Sequence, residues 1–388
     1  MSPSFLRSFV AVLAFSAGTA LCQESVTSLV SRRVTEYLLP ETKQTHEVAR
    51  VPGSNFVLVS QMSNSHLIKV ELDPNTEEPI AYQSFPMGDS DQAQLHGIWP
   101  SEVRPGMMWL SLQAENKLLL VDPGQDLSTA PSILETIDIP QPGNGPHSIF
   151  EIDGRVWAGL KVASPQDGEF YVFSADVDDT SDTQLYQCLD SPVFVAKEPE
   201  SGLIYVTQDT ASSIMSIDLT TGETDQLPIP PAVGNTPVGM ISIASGPLGG
   251  VWFVLAGNDT GGTGTFGHIG SDGELQFFSL SGLGAESAGL LHLADASTDE
   301  GGPALWLLST TLLSTDSADA LIRVAFDDSV TEVVAEEYIA MPTQNAWMHR
   351  IAVLDASVLV TELNTFTLAQ LKYGNTQAGQ WQPALVTE

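Results

Sequence analysis

A self-similar unit of about 45 to 50 residues recurs through most of the chain and restricts the fold more than any other feature. Each unit opens with an apolar strand, turns, and returns in a second strand that Trp often leads. A third strand of the type Leu118-Leu119-Leu120-Val121-Asp122 follows, then a polar turn and a last strand. The first three units open at His46-Glu47-Val48, His96-Gly97-Ile98 and Pro146-His147-Ser148. The next three open at Pro192-Val193-Phe194, Pro237-Val238-Gly239 and Leu290-Leu291-His292, and the seventh at Met348-His349-Arg350. Trp109, Trp157, Trp252 and Trp306 recur in the second strand and read as core packing. Four short strands repeated radially leave few exposed sheet edges. The spacing therefore predicts an all-β fold, a seven-bladed β-propeller, with residues 34–373 as one domain. The seventh unit has only three clear strands. Val34-Thr35-Glu36-Tyr37-Leu38 supplies the missing outer one, so an N-terminal strand completes the last blade and closes the ring. Six or eight blades and an open β-solenoid are the alternatives.

The chain ends carry separate signals. Arg7 precedes a mostly apolar or small stretch from Phe9 to Leu21, and residues 1–22 read as a secretory signal peptide, which makes the protein secreted. Residues 374–388 form a C-terminal tail beyond the repeat. The two cysteines, Cys22 and Cys188, form a bridge or leave Cys188 single, depending on where the signal is cut. Asn258-Asp259-Thr260 is a glycosylation acceptor sequon, compatible with that route. Lys and Arg total 14 against 48 Asp and Glu, a formal net charge of −34. Such a surface repels phosphate backbones and anionic lipid, so neither nucleic acid nor a membrane is an expected partner. A small-molecule substrate is.

The repeat also locates chemistry. The first strand of a blade runs along the central channel and the second returns antiparallel to it, so its start and the return end share one mouth. The start positions are His46, His96, His147 and His349 in four units, and Val193, Val238 and Leu291 in the other three. The return ends include Gln61, Lys161, Gln208 and Glu362. Only the seventh unit offers a His at the start and a carboxylate at the return. His349 and Glu362 are thus the expected catalytic pair, a base and the carboxylate that orients it. His46, His96, His147, Trp347, Gln61, Gln208 and Lys161 are the expected substrate-binding residues. His66, His268 and His292 read as ordinary strand or turn residues. Several His or a Glu could gather one ion, but no His-Glu-x-x-His spacing supports a metal, so no metal or other cofactor is expected. Gly-x-Ser-x-Gly is absent, which removes the usual serine hydrolase reading.

The His-Gly-Ile and Pro-His-Ser-Ile openings, each followed by a Trp-led strand, resemble the virginiamycin B lyase-like propellers over roughly residues 34–373. That family's second strand usually reads Trp-Phe-Thr-Glu. Here Trp252-Phe253-Val254-Leu255 and Leu359-Val360-Thr361-Glu362 come nearest, and most blades lack the Glu. The resemblance implies a His and a Glu, acting with magnesium, in an elimination that opens a cyclic depsipeptide ester. His349 and Glu362 match those repeat positions. Gluconolactonase-type propellers rank lower because their Glu-Gly-Pro metal-binding opening is missing. A secretory signal on a divergent lyase-like propeller is also similar to the fungal hetero-Diels–Alderases of tropolone–sesquiterpenoid biosynthesis. That resemblance implies acid–base loss of water to a quinone methide, then cycloaddition in an apolar pocket without metal. A metal-dependent C–O lyase or lactonase and a non-catalytic binding propeller are the competing readings.

Overall fold

The computed structural model describes residues 34–372, apart from 43, 232, 235, 259, 283, 285, 286 and 298–301, together with the backbone of a short strand, Thr27–Leu29. The signal segment 1–22, Cys22 and the tail 374–388 lie outside the described residues.

Seven antiparallel sheets stand around one channel, and most take their four strands in chain order. Blade 1 is Thr45–Arg50, Phe56–Gln61, His66–Leu72 and Pro79–Pro86. Blades 2 to 6 open at Leu95–Pro100, Pro146–Ile152, Pro192–Lys197, Pro237–Ile243 and Leu290–Asp295. Blade 7 has Met348–Val353, Ser357–Glu362 and Thr367–Lys372, and Val34–Leu38 pairs antiparallel along Thr367–Lys372 as its outer strand. The chain is a seven-bladed β-propeller closed as the repeat predicts. One strand was not foreseen. Thr27–Leu29 pairs in parallel with Val333–Ala340 at the outer edge of blade 6.

Apolar faces of neighbouring blades pack together, so the core runs around the ring between sheets. Trp109, Trp157, Trp252 and Trp306 are all buried there. The Trp109 indole N–H donates to Glu151 of the next blade at 2.7 Å, and that of Trp252 to the Leu248 carbonyl at 2.8 Å. Aromatic bulk supplies the burial, and at Trp109 and Trp252 an acceptor satisfies the one polar atom it brings in.

Every first strand breaks register near its start. Thr45 pairs with Gln61, but Val48 already pairs with Val59, so one extra residue sits on the channel side. The same shift occurs in blades 2 to 7. Such a bulge lets two successive side chains point the same way. A hydroxyl from the second strand holds it. Ser60, Ser111, Thr207 and Thr361 accept the bulge N–H of Glu47, Gly97, Phe194 and Arg350 at 2.7 to 3.1 Å. Each hydroxyl then donates to a carbonyl of the next blade, at His96, His147, Val238 and His46. Blade 3 has Gly159 at this position, where a Cβ would lie 2.6 Å from the Val193 oxygen. Ser148 of the bulge itself reaches that oxygen instead. Blades 5 and 6 carry Val254 and Leu308 there and have no such clip.

Thr361 makes the clip that joins blade 7 to blade 1. Thr361→Val is isosteric but leaves the Arg350 N–H and a buried carbonyl interaction unmade. We expect a loss of about 2 kcal/mol or more in urea unfolding, since each orphaned buried group costs roughly 1–3 kcal/mol. Thr361→Ser should restore most of it. Equal stability of Thr361→Val and the parent chain would show that the clip does not hold the seam.

Candidate functional site

The bulges build two consecutive layers across the channel. The first holds His46, His96, His147 and His349 on blades 1, 2, 3 and 7, and Val193, Val238 and Leu291 on blades 4 to 6. The second carries Glu47, Gly97, Ser148, Phe194, Gly239, His292 and Arg350. Together they form a septum with a cavity on each side. The larger, of about 950 Å³, lies toward the ends of the first strands, with Glu47, His292, Phe194 and Arg350 in its lining. Its walls are mostly apolar, among them Ile98, Trp99, Phe150, Met240 and Leu293. The smaller, of about 200 Å³, is bordered by His46, His147, His349 and Lys161.

In the second layer, Arg350 donates from Nε and Nη2 to the two carboxylate oxygens of Glu47, a forked contact between buried groups across the blade 7–blade 1 seam. Its guanidinium carbon lies 4.5 Å from the centre of the Phe194 ring. A bidentate geometry of this kind fixes both partners and leaves little freedom for either. His292 accepts the Ile351 N–H on Nδ1 at 3.3 Å, which places its own proton on Nε2. Burial holds the His292 pKa well below the ordinary range, with Arg350 adding to it, so the ring is a neutral N–H donor.

In the first layer the four imidazoles form an arc. Ring centres are 3.7 Å apart for His349 and His46, 3.7 Å for His46 and His96, and 3.3 Å for His96 and His147. Burial again depresses all four pKa values, and the positive charges of Arg350 and Lys161 add to this at His46. His147 Nδ1 meets the Gln113 side-chain oxygen at 2.7 Å, and His349 Nδ1 meets the His46 carbonyl at 3.2 Å. Glu47 Oε1 lies 3.5 Å from His46 Nδ1 and 3.6 Å from His349 Nδ1.

The expected pair of His349 and Glu362 is not formed. Met348, not His349, stands opposite Glu362 across the strand pair, so Glu362 faces into the blade. It accepts from Thr365 and Thr367, while the carboxylate near His349 is Glu47. Gln61 and Gln208 are turned from the channel for the same reason. Gln61 donates to the Pro40 carbonyl, and Gln208 bonds Gln226 and the Leu189 N–H. Trp347 is 40% exposed and borders neither cavity. Lys161 does border the smaller one, ion-paired with Asp209 at 3.0 Å. His292, Glu47 and Arg350 were not singled out in the sequence, because strict alternation of faces hides the second residue of a bulge. His66 bonds Ser84, and His268 bonds the Gly249 carbonyl, both away from the channel. Cys188 is buried in blade 3, and desolvation pushes its thiol pKa up to about 12. Asn258 of the sequon is on an exposed turn.

Burial raises the Glu362 pKa to about 7, against the opposing bonds from Thr367 and Thr365. A folded pKa above the unfolded one means that the folded state holds more protons, so stability falls as pH rises from about 4.5 to about 7. Glu362→Gln should flatten that part of the stability profile and raise the melting temperature at pH 8 relative to pH 5. A parent profile with no fall in this window, or a variant that keeps the whole fall, would remove Glu362 as its source.

No protein-family model matches this chain, and no curated protein does. Among solved structures, a selenomethionine-substituted virginiamycin B lyase from Staphylococcus aureus is 17% identical, with a TM-score of 0.66, covering 88% of this chain and 99% of that one. A catalytically inactive histidine-to-alanine variant of that lyase, with quinupristin, is similar at 16% identity and a TM-score of 0.66 over 88% and 99%. The Pan2 WD40 domain of Neurospora crassa is 7% identical, with a TM-score of 0.61 over 91% and 100%. At these identities the likeness is one of fold.

Proposed function

We propose that this chain is a secreted, lyase-type enzyme that takes an apolar small molecule in the 950 Å³ cavity and eliminates across a C–O bond on the septum. The observation that carries this reading is the floor of that cavity. A buried carboxylate, a guanidinium and a neutral imidazole N–H meet there beneath apolar walls. An elimination needs a base for the departing proton and donors for the charge that develops on oxygen. Glu47 is the base, held in place by Arg350. Arg350 and the Nε2–H of His292 are the donors, and low polarity around them strengthens both. The lyase-type neighbours support the class of reaction by their fold.

The finer form of the proposal is dehydration of a hydroxymethyl tropolone followed by hetero-Diels–Alder addition. Glu47 takes the ring hydroxyl proton and the exocyclic C–O bond breaks. The same proton goes to the leaving oxygen, so a quinone methide and water result. An alkene held against the methide by the apolar walls then adds, forming one C–C and one C–O bond. Holding two reactants in register lowers the barrier to addition by removing their relative freedom.

The test is turnover of two substrates: a streptogramin B depsipeptide, and a hydroxymethyl tropolone with a humulene-type alkene. We expect product from one of them. Glu47→Gln and His292→Ala should lower kcat by roughly a hundredfold or more while the chain stays folded. Turnover unchanged in both variants, or ligand binding without product from either substrate, would overturn the proposal.

A further inference from the structure

The four imidazoles of the first layer are not used by the chemistry assigned to the larger cavity, and as they stand they are poorly satisfied. Both ring nitrogens of His96 and Nδ1 of His46 are buried with no hydrogen-bond partner among the described residues. His96 is fully shielded by its neighbours. A buried polar atom left without a partner costs on the order of 1–3 kcal/mol, and three lie together here. Native folds retain such groups when something else satisfies them.

Their arrangement indicates what that is. A neutral imidazole presents one N–H and one lone pair. At His147 and His349, Nδ1 faces an oxygen, of the Gln113 side chain and the His46 carbonyl respectively, so Nδ1 carries the proton and Nε2 keeps the lone pair. That is the usual state of a metal-binding histidine, whose second nitrogen donates to a carbonyl, amide or carboxylate. Ligand atoms of His46, Glu47 and His96 all lie within 4.8 Å of one another. Nearby cations are already compensated, Arg350 by Glu47 and Lys161 by Asp209, and the chain as a whole carries a net charge of −34.

We infer that the histidine arc is a binding site for a first-row transition-metal dication, with His46, His96 and Glu47 as its ligands and His147 and His349 flanking them. Imidazole nitrogen suits zinc, iron, copper or nickel and disfavours magnesium. On the His46 side the site adjoins the smaller cavity, where Val193, Val238 and Leu291 stand with the Lys161–Asp209 pair at the border, so an exchangeable position opens there. The inference departs from the metal-free expectation, which rested on the lack of a local ligand spacing. The blade repeat supplies that spacing instead, one histidine per blade. The site shares Glu47 with the reaction proposed for the larger cavity, but its histidine ligands and its test do not depend on that reaction.

The test uses untagged full-length protein, stripped with chelator, then loaded with Zn²⁺ or Co²⁺ and freed of excess by gel filtration. We expect one ion per chain by elemental analysis and, for Co²⁺, visible absorption bands of a nitrogen-ligated site. His46→Ala and His96→Ala should weaken retention by roughly tenfold or more. His268→Ala, outside the channel, should retain the ion. Zinc-edge X-ray absorption of the parent protein counts imidazoles directly and holds even if a variant fails to fold; two are expected, with oxygen completing the shell. No retained ion, an all-oxygen shell, or undiminished retention in folded His46→Ala and His96→Ala would overturn the inference.

Discussion

The bulge at the start of each first strand, and the hydroxyl that holds it, is the constraint on which the channel depends. A regular strand alternates its faces and would send one residue of each pair into the space between blades. The extra residue removes that alternation at one place, and both side chains then cross the channel. Leaving a bulge N–H buried would be costly, and the second-strand Ser or Thr satisfies it in blades 1, 2, 4 and 7. Because the same hydroxyl donates to the neighbouring blade, local irregularity and the joining of blades are one interaction.

The septum that results separates two environments. The side toward the large cavity has a fixed carboxylate–guanidinium pair and one neutral imidazole under apolar walls. The opposite side has four neutral imidazoles facing three aliphatic residues. Burial is the first cause of the depressed histidine pKa values on both sides, so neither layer needs to carry histidinium at neutral pH. Glu47 belongs to both layers, bonded to Arg350 on one side and close to His46 and His349 on the other.

The sequence made the ring legible because strand patterning and the Trp-led returns repeat with the blades. It also placed the histidines correctly as a layer: His46, His96, His147 and His349 are in register, and Val193, Val238 and Leu291 stand where they were expected. What it could not give was the partner of each residue. Reasoning within one blade with an unbroken period of two joined His349 to Glu362. The register shift puts Met348 opposite Glu362 instead and turns Gln61, Gln208 and Glu362 into their blades. The actual neighbour, Glu47, comes from the other end of the chain. His292 was missed because it follows the start position by one, where alternation predicts an outward side chain. A serine or threonine one residue before the return end was the available sign of the bulge.

The position of the site follows from how the ring closes. Glu47 and Arg350 are 303 residues apart and meet only because blade 7 abuts blade 1. His46 and His349 touch across the same seam, and the Thr361 hydroxyl crosses it to the His46 carbonyl. Two blades elsewhere in the ring are joined by a short stretch of chain, but this pair is held by Val34–Leu38 lying along Thr367–Lys372. A ring opened at the seam would keep most of its interblade core and would lose the ion pair, the clip and the His349 end of the histidine arc together. The buried charges of Glu47 and Arg350 are also costly apart, since each would be left desolvated without its partner. The same contact that fixes the reactive groups therefore favours the closed ring, and a chain that has not closed lacks the carboxylate–guanidinium floor of the large cavity.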